Sequence, residues 1–293
     1  MPEPEPRLPP LRDVIARHGL NARKSLGQHF LFDLNLTDRI VRAASQFLPP
    51  PANDLATGTV IEVGPGPGGL TRSLLAGGAR RLVAIEKDTR CLAALAELAQ
   101  AYPGRLEVRE ADALSVDMAT LCPAPRRIIA NLPYNISTAL LLRWLTNIAA
   151  DPAALAGMIL MFQSEVADRL TASPRSKAYG RLSVITQWLC HIQPLFTVPA
   201  RAFTPPPKVD STVVGLRPRA QPLAEAAMPV LERVTAAAFG QRRKMLRQSL
   251  KSLGADAGML LATAGVPETA RAEELDVAAF CALARALAAQ TPD

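Results

Sequence analysis

Between residues 60 and 162, short apolar, β-branched runs alternate with longer stretches rich in alanine and leucine. A loop with glycine at every second position, Gly64-Pro65-Gly66-Pro67-Gly68-Gly69, follows the first run. That alternation is the pattern of βαβ units, which assemble into a parallel sheet with helices on both faces. It predicts strands over residues 60–63, 82–85, 106–108, 128–130 and 157–162. Two more runs, 194–198 and 211–216, flank the proline-rich segment Phe203-Thr204-Pro205-Pro206-Pro207 and suggest an antiparallel hairpin at one sheet edge. After Arg217-Pro218-Arg219 the β-branched runs stop, and helical spacing takes over from residue 228 to 253, with turns marked by Gly254, Gly265 and Pro267. The expected fold is a doubly wound, Rossmann-like α/β domain followed by a small helical domain. The boundaries fall at 1–20 for a partly disordered extension, 21–219 for the α/β domain and 220–293 for the helices.

A chain of 293 residues with 49% hydrophobic content buries a substantial core, which excludes wholesale disorder. Its 33 Lys and Arg against 26 Asp and Glu leave a net charge of +7, favouring a polyanionic partner over a neutral metabolite. The four cysteines, Cys91, Cys122, Cys190 and Cys281, form no CxxC pair, and three histidines do not complete a metal cluster with them. No metal and a reducing cytoplasm are therefore expected. Residues 1–10 alternate proline with acidic residues and lack an apolar signal core, and no later segment is apolar enough to cross a bilayer. Monomer is the default expectation.

The glycine loop lies where a doubly wound sheet binds nucleotides. Gly64, Gly66 and Gly69 also satisfy GxGxxG, so a nicotinamide or flavin enzyme is an alternative reading. Pro65 and Pro67 weigh against it, because they remove backbone donors that a pyrophosphate needs. S-adenosylmethionine carries no phosphate. Glu86, ending the second predicted strand, suits ribose hydroxyls in either case, and Asp112, after the third, suits the 6-amino group of a cofactor adenine.

Asn131-Leu132-Pro133-Tyr134 follows the fourth predicted strand, at the position of an amine-methylation site. The exocyclic amine of adenine is a poor nucleophile because its lone pair is delocalised into the ring. The Asn131 side-chain oxygen and a free Pro133 carbonyl can each accept one N–H, which favours a pyramidal nitrogen with its lone pair directed at an electrophile. Tyr134 offers a flat face, and stacking of a base on such a ring contributes roughly 1–3 kcal/mol. Two basic clusters, Arg23-Lys24 and Arg242-Arg243-Lys244 with Arg247 and Lys251 on one predicted helix, suit phosphates, although charge runs are often solvated helix faces.

Together these residues resemble the ribosomal RNA adenine N6,N6-dimethyltransferases, in the bacterial KsgA/RsmA group. The resemblance runs from Arg23-Lys24-Ser25-Leu26-Gly27-Gln28-His29-Phe30-Leu31 through the glycine loop and Asn131-Leu132-Pro133-Tyr134-Asn135-Ile136. It continues over Phe203-Thr204-Pro205-Pro206-Pro207-Lys208-Val209-Asp210-Ser211 to Phe239-Gly240-Gln241-Arg242-Arg243-Lys244. The departures are a longer, proline-rich N-terminus and Gly240 where the family often has Asn.

The resemblance implies a class I S-adenosylmethionine-dependent fold and dimethylation of two adjacent adenines in the 3′-terminal hairpin of 16S ribosomal RNA. It further implies a role in late small-subunit assembly. It gives His29, Leu31, Gly64, Gly66, Glu86, Asp112 and Asn131 to the cofactor pocket. Asn131, Pro133, Tyr134 and Phe203 go to the reaction, with Phe203 as a second aromatic face opposite Tyr134, and Arg23, Lys24, Arg242, Arg243, Lys244 and Arg247 to the RNA. A large-subunit methyltransferase of the antibiotic-resistance type and an assembly factor with secondary methylation are the competing readings.

Overall fold

A seven-stranded sheet organises the protein, whose computed structural model describes residues 6–23 and 26–290. Lys24 of the expected RNA contact lies outside the described residues. In chain order the elements begin with α1 (Leu11–Arg17), β1 (Phe30–Leu31), α2 (Leu34–Phe47), β2 (Thr59–Val63) and α3 (Gly69–Ala76). They continue with β3 (Leu82–Glu86), α4 (Thr89–Ala101), β4 (Leu106–Glu110), α5 (Met118–Leu121), β5 (Arg126–Asn131), α6 (Ser137–Ala150) and β6 (Gly157–Gln163). Next come α7 (Ser164–Thr171), α8 (Arg181–Leu189), β7 (Cys190–Val198), β8 (Phe203–Thr204) and β9 (Ser211–Pro218). The chain ends with α9 (Met228–Gly240), α10 (Leu246–Ser249), α11 (Ala257–Thr263) and α12 (Val277–Gln290).

The strand order is β4-β3-β2-β5-β6-β9-β7. Strands β2 to β6 pair in parallel, and β9 runs antiparallel to β6, from Met158 opposite Leu216 to Gln163 opposite Ser211. The doubly wound sheet expected from the sequence is present, and the runs around 194–198 and 211–216 are neighbours at one edge. Because the chain winds from β2 towards β4 on one side and from β5 towards β7 on the other, a crevice opens at the carboxyl ends of β2 and β5.

The central strands read as continuous apolar runs because both faces are covered: every residue of β2 and β3 is buried. Their core takes in Val60, Leu82, Ile129 and Ile159 with Ile40, Leu74 and Leu75 from the helices. Local chemistry sets the helix starts. Asp33 accepts from the Asn35 backbone N–H to begin α2, and Asp88 from that of Arg90 to begin α4.

One buried cation fastens the chain leading into β2. Arg127 on β5 is fully buried and donates to the carbonyls of Ala52, Asp54 and Thr57. At Gly58 a Cβ would meet the Pro125 carbonyl oxygen at 2.3 Å, and the residue has φ +64°, so only glycine fits.

The chain forms two compact units. The first comprises Met1–Trp144, Ala153–Ser164 and Gln193–Arg217; the second comprises Leu145–Pro152, Glu165–Ile192 and Pro218–Asp293. The second unit thus draws on two segments that precede residue 219 as well as on the C-terminal helices. Its interior is marked by Phe239, whose ring lies 5.4 Å from that of Phe280 and 5.9 Å from that of Tyr179.

The N-terminal stretch carries the ordered helix α1, with Leu11 and Val14 buried. The helical spacing read over 228–253 is interrupted, and the one helix expected to carry Arg242 to Lys251 is not formed: α9 ends at Gly240, residues 241–245 turn, and Met245 bridges to Arg271 before α10 begins. The basic residues 242–244 therefore occupy a turn rather than a helix face. Among the described residues no helix is long and apolar enough to cross a membrane, all four cysteines are free and buried, and no group of three or more His, Cys, Asp or Glu is placed to hold a metal ion.

Candidate active site

The crevice at the strand ends is a pocket lined by Gly64, Gly66, Glu86, Asp112, Asn131, Pro133 and Tyr134 together with His29 and Leu31 from the N-terminal segment. Nine of the expected site residues are thus brought to one cavity by four strands and one strap.

The loop after β2 can pass so close to the neighbouring segments only because of its glycines. Gly64, Gly66 and Gly68 have φ of +69°, +55° and +90°, a region L side chains avoid. A Cβ on Gly66 would sit 2.9 Å from the Phe30 ring, and one on Gly64 would sit 3.2 Å from Pro133 Cδ. The alternation with Pro65 and Pro67 fixes the intervening residues and leaves the loop poor in N–H donors.

Carboxyl groups outnumber Lys and Arg side chains in the pocket. Glu86 accepts from the backbone N–H of Gly66 at 2.9 Å through one oxygen and from that of Asp88 at 2.7 Å through the other, and burial holds its carboxyl above the usual range. Asp112 accepts from Lys87 Nζ at 2.7 Å and from the Leu114 backbone N–H at 2.9 Å, and the Lys87 ammonium holds it below the usual range. Glu62, within β2, is 1% exposed and its Oε2 has no hydrogen-bond partner among the described residues; burial pushes its carboxyl up to about 8. Among the described residues Lys87 is the one Lys or Arg that lines the pocket, and it is paired with Asp112. With Asp112 paired to Lys87 and Glu62 protonated near neutral pH, Glu86 is the uncompensated carboxylate among the described lining residues, and the cavity suits a ligand that carries positive charge and no phosphate, as S-adenosylmethionine does.

Asn131, at the end of β5, donates through Nδ2 to the His29 carbonyl at 3.2 Å. That contact turns the amide so that Oδ1, without a partner among the described residues, is the available acceptor in the pocket. The Pro133 carbonyl is less free than its sequence suggests, because it accepts from the Ile136 backbone N–H at 3.2 Å; one lone pair remains. Tyr134 is held through its hydroxyl by Ser211 Oγ at 2.6 Å, and burial raises its phenol.

The aromatic arrangement departs from a two-ring sandwich. Phe203 is 2% exposed, packs in the core beside Leu31, and meets Tyr134 edge-on at 6.5 Å and 71°. Its position follows from the short pairing of β1 with β8, which sets Leu31 opposite Phe203. The ring that stacks on Tyr134 is His29, at 5.2 Å and 27°. His29 Nδ1 contacts the Pro205 carbonyl oxygen at 2.7 Å; a carbonyl only accepts, so Nδ1 carries the hydrogen.

Sequence reasoning assigned no role to Glu62, Lys87, Gln28 or Ser211. Glu62 alone carried a signal, being a carboxylate inside an otherwise apolar strand. Gln28 joins the strap to α4 by donating to Asp88 at 2.9 Å, while Arg90 pulls the Asp88 carboxyl down to about 2.

Of the basic residues, Arg23, Arg243, Lys244 and Arg247 are exposed. Arg242 differs. Its Nε donates to Glu273 at 2.8 Å, and its two terminal nitrogens donate to the carbonyls of Lys177 and Ser176 at 2.7 and 2.9 Å. Arg23 belongs to the first unit and residues 242–247 to the second.

The profile of the family described as "Ribosomal RNA adenine dimethylase" matches residues 19–289. The chain is 66% identical over 286 residues to a ribosomal RNA small subunit methyltransferase A of Paramagnetospirillum magneticum, covering 98% of this chain and 97% of that one. It is 63% identical over 280 residues to a protein of the same description from Rhodospirillum rubrum, covering 96% and 93%. Among solved structures, a dimethyladenosine transferase from Plasmodium falciparum superposes with a TM-score of 0.69 at 25% identity, covering 87% of this chain and 96% of that one. The 23S rRNA methyltransferase ErmE superposes at 0.61 with 30% identity, covering 88% and 99%. With a glycine loop and an Asn-Leu-Pro-Tyr turn meeting in one acidic pocket, and a match over nearly its whole length, this chain belongs to the ribosomal RNA adenine dimethylase family.

Proposed function

We propose that this protein dimethylates the N6 amines of two adjacent adenines in the 3′-terminal hairpin of 16S ribosomal RNA. Its substrate is the small ribosomal subunit, its methyl donor S-adenosylmethionine, and its setting the cytoplasm, late in subunit assembly. The two relatives described as small-subunit methyltransferases, at 66% and 63% identity, support the choice of subunit. The observation that carries the chemistry is the Asn131 amide, tied to the His29 carbonyl through Nδ2 and presenting Oδ1 to the pocket.

The sulfonium of S-adenosylmethionine supplies an electrophilic methyl group that needs neither a metal nor an enzymic nucleophile. The chain's contribution is binding and orientation. Glu86 takes the ribose hydroxyls, Asp112 the adenine amine, and Gly64, Gly66 and Leu31 form the wall against which the cofactor lies. Asn131 Oδ1 and the remaining lone pair of the Pro133 carbonyl accept the two N–H groups of the target amine, which holds its nitrogen pyramidal. Tyr134 presents the face that His29 does not cover to the flipped adenine, and Phe203 braces that ring from its edge. For the second transfer the amine has only one N–H left, so one acceptor goes unused while Tyr134 still holds the base.

Arg23, Lys24, Arg243, Lys244 and Arg247 bind phosphates, and Arg242 acts through the turn that carries its neighbours. A monomer suffices for these roles.

The test is Asn131→Ala, assayed on small subunits lacking the modification. The rate falls about 10²–10³-fold, the range for loss of one preorganised polar contact to a reacting group, while affinity for S-adenosylmethionine changes by less than about fivefold. Near-normal methylation by the variant would remove Asn131 from the mechanism.

A further inference from the structure

A second concave surface lies in the first unit, lined by Arg39, Arg42, Gln46 and Phe47 of α2 and by Leu195 and Phe196 of β7. Its chemistry is unlike that of the acidic pocket, because no carboxylate lines it. Arg39, Arg42 and Gln46 are exposed and lie three and four residues apart, so they share one face of α2. The guanidinium of Arg39 sits 4.0 Å from the centre of the Phe196 ring, and that of Arg217 sits 6.0 Å from the centre of the Phe47 ring. Phe47 can lie flat against β9 because residue 215 is glycine; a Cβ there would come within 2.6 Å of the ring. No carboxylate pairs with Arg39, Arg42 or Arg217 among the described residues.

Arginines without counter-ions laid over partly exposed aromatic rings are the composition of surfaces that hold a nucleic-acid strand, with phosphates on the guanidinium groups and bases on the rings. A peptide partner is disfavoured. β7 is the outermost strand of the sheet, but Pro194 interrupts its row of N–H groups, which blocks strand addition. The elements that line the groove are close in sequence to residues of the reaction site. α2 begins three residues after Leu31, and β7 ends five residues before Phe203.

We propose that this groove docks a single-stranded or looped segment of the substrate RNA outside the two target adenines. Arg39 and Arg42 each hold a phosphate and Phe196 stacks a base. This rests on the small-subunit reading above and extends it by naming a second RNA contact on the first unit.

The test compares the full chain with Arg39→Gln/Arg42→Gln, which keeps polar side chains at both exposed positions. Equilibrium binding to small subunits lacking the modification is measured across salt concentrations, with S-adenosylmethionine affinity as the control for folding. The proposal predicts about tenfold weaker subunit binding at low salt, a log–log salt slope shallower by about 1.4, and unchanged cofactor affinity. An unaltered slope and affinity overturn it.

A photo-reactive benzoylphenylalanine at position 196 supplies an independent readout. Cross-linking to ribosomal RNA supports the docking track, whereas cross-linking to a ribosomal protein, or none at all, contradicts it. Failure here is distinct from failure of the small-subunit reading, which shows as absence of methyl transfer by the unaltered chain.

Discussion

Glu62 illustrates how much one side chain can add to a pocket. It sits inside a strand whose other members are all buried, and its carboxyl is pushed up to about 8 by burial, against an ordinary value of 4.5. In the unfolded chain the group ionises near pH 4.5, so between that value and about 8 the folded state binds the extra proton. Stability therefore falls as pH rises through that window. Glu62→Gln removes the titration, and its melting temperature should decline less between pH 5 and pH 8 than that of the unaltered protein, by several degrees. Parallel melting profiles for the two proteins would show that Glu62 is charged in the folded state or does not matter to it.

At this scale the convergence of Asn131, Pro133, Tyr134, Glu86 and Asp112 on one pocket was legible in sequence, because each sits at or just after a predictable strand end. The Ile136 hydrogen bond on the Pro133 carbonyl was not, since it depends on how the turn closes. The edge-on position of Phe203 was not either, since it depends on a register between segments more than 170 residues apart.

Elements were read best where periodicity runs long. The parallel strands of the sheet were found to within two residues at every end, because strands covered on both faces leave an unbroken apolar run. β1 and β8 escaped, being two residues each and defined only by their pairing. The break after Gly240 escaped for another reason. Residues 241–245 carry no proline and are good helix formers, but Arg242 is drawn to Glu273 and to the carbonyls of Ser176 and Lys177, and such tertiary contacts override local helix propensity.

Arg242→Gln and Arg243→Gln/Lys244→Gln should therefore behave differently. The first lowers unfolding stability by about 1–2 kcal/mol, as expected when half-buried acceptors lose a charged donor. The second leaves stability within about 0.5 kcal/mol and makes the salt slope of RNA binding shallower by about 1.4. Denaturant unfolding and salt-titrated binding separate the two; equal effects on stability would mean that the turn does not depend on Arg242. Arg127→Met is a second element-scale case. It strands the carbonyls of Ala52, Asp54 and Thr57 and should cost about 3 kcal/mol in urea unfolding. A loss below about 1 kcal/mol would mean water takes over those acceptors.

For the whole molecule, net charge and domain texture pointed correctly to an α/β enzyme with a polyanionic substrate, because charge balance and composition are read without knowing any contact. What the sequence does not reveal is that Leu145–Pro152 and Glu165–Ile192 belong to the second unit, since that grouping rests on packing among distant helices. The proposed binding surface is correspondingly divided: an acidic pocket for the cofactor, exposed arginines and lysines for phosphates, and the arginine–aromatic groove on the first unit. RNA affinity should fall steeply with salt while affinity for S-adenosylmethionine changes little. Filter binding at 50 and 200 mM salt beside calorimetry of the cofactor checks this, and a salt-insensitive RNA affinity would return the basic residues to the status of solvated surface.

The central claim is tested most directly by transfer of labelled methyl from S-adenosylmethionine to small subunits lacking the modification, with large subunits as control and digestion to nucleosides for product identity. The account predicts N6,N6-dimethyladenosine on the small subunit alone. Label on the large subunit, or tight subunit binding with no label, would contradict it.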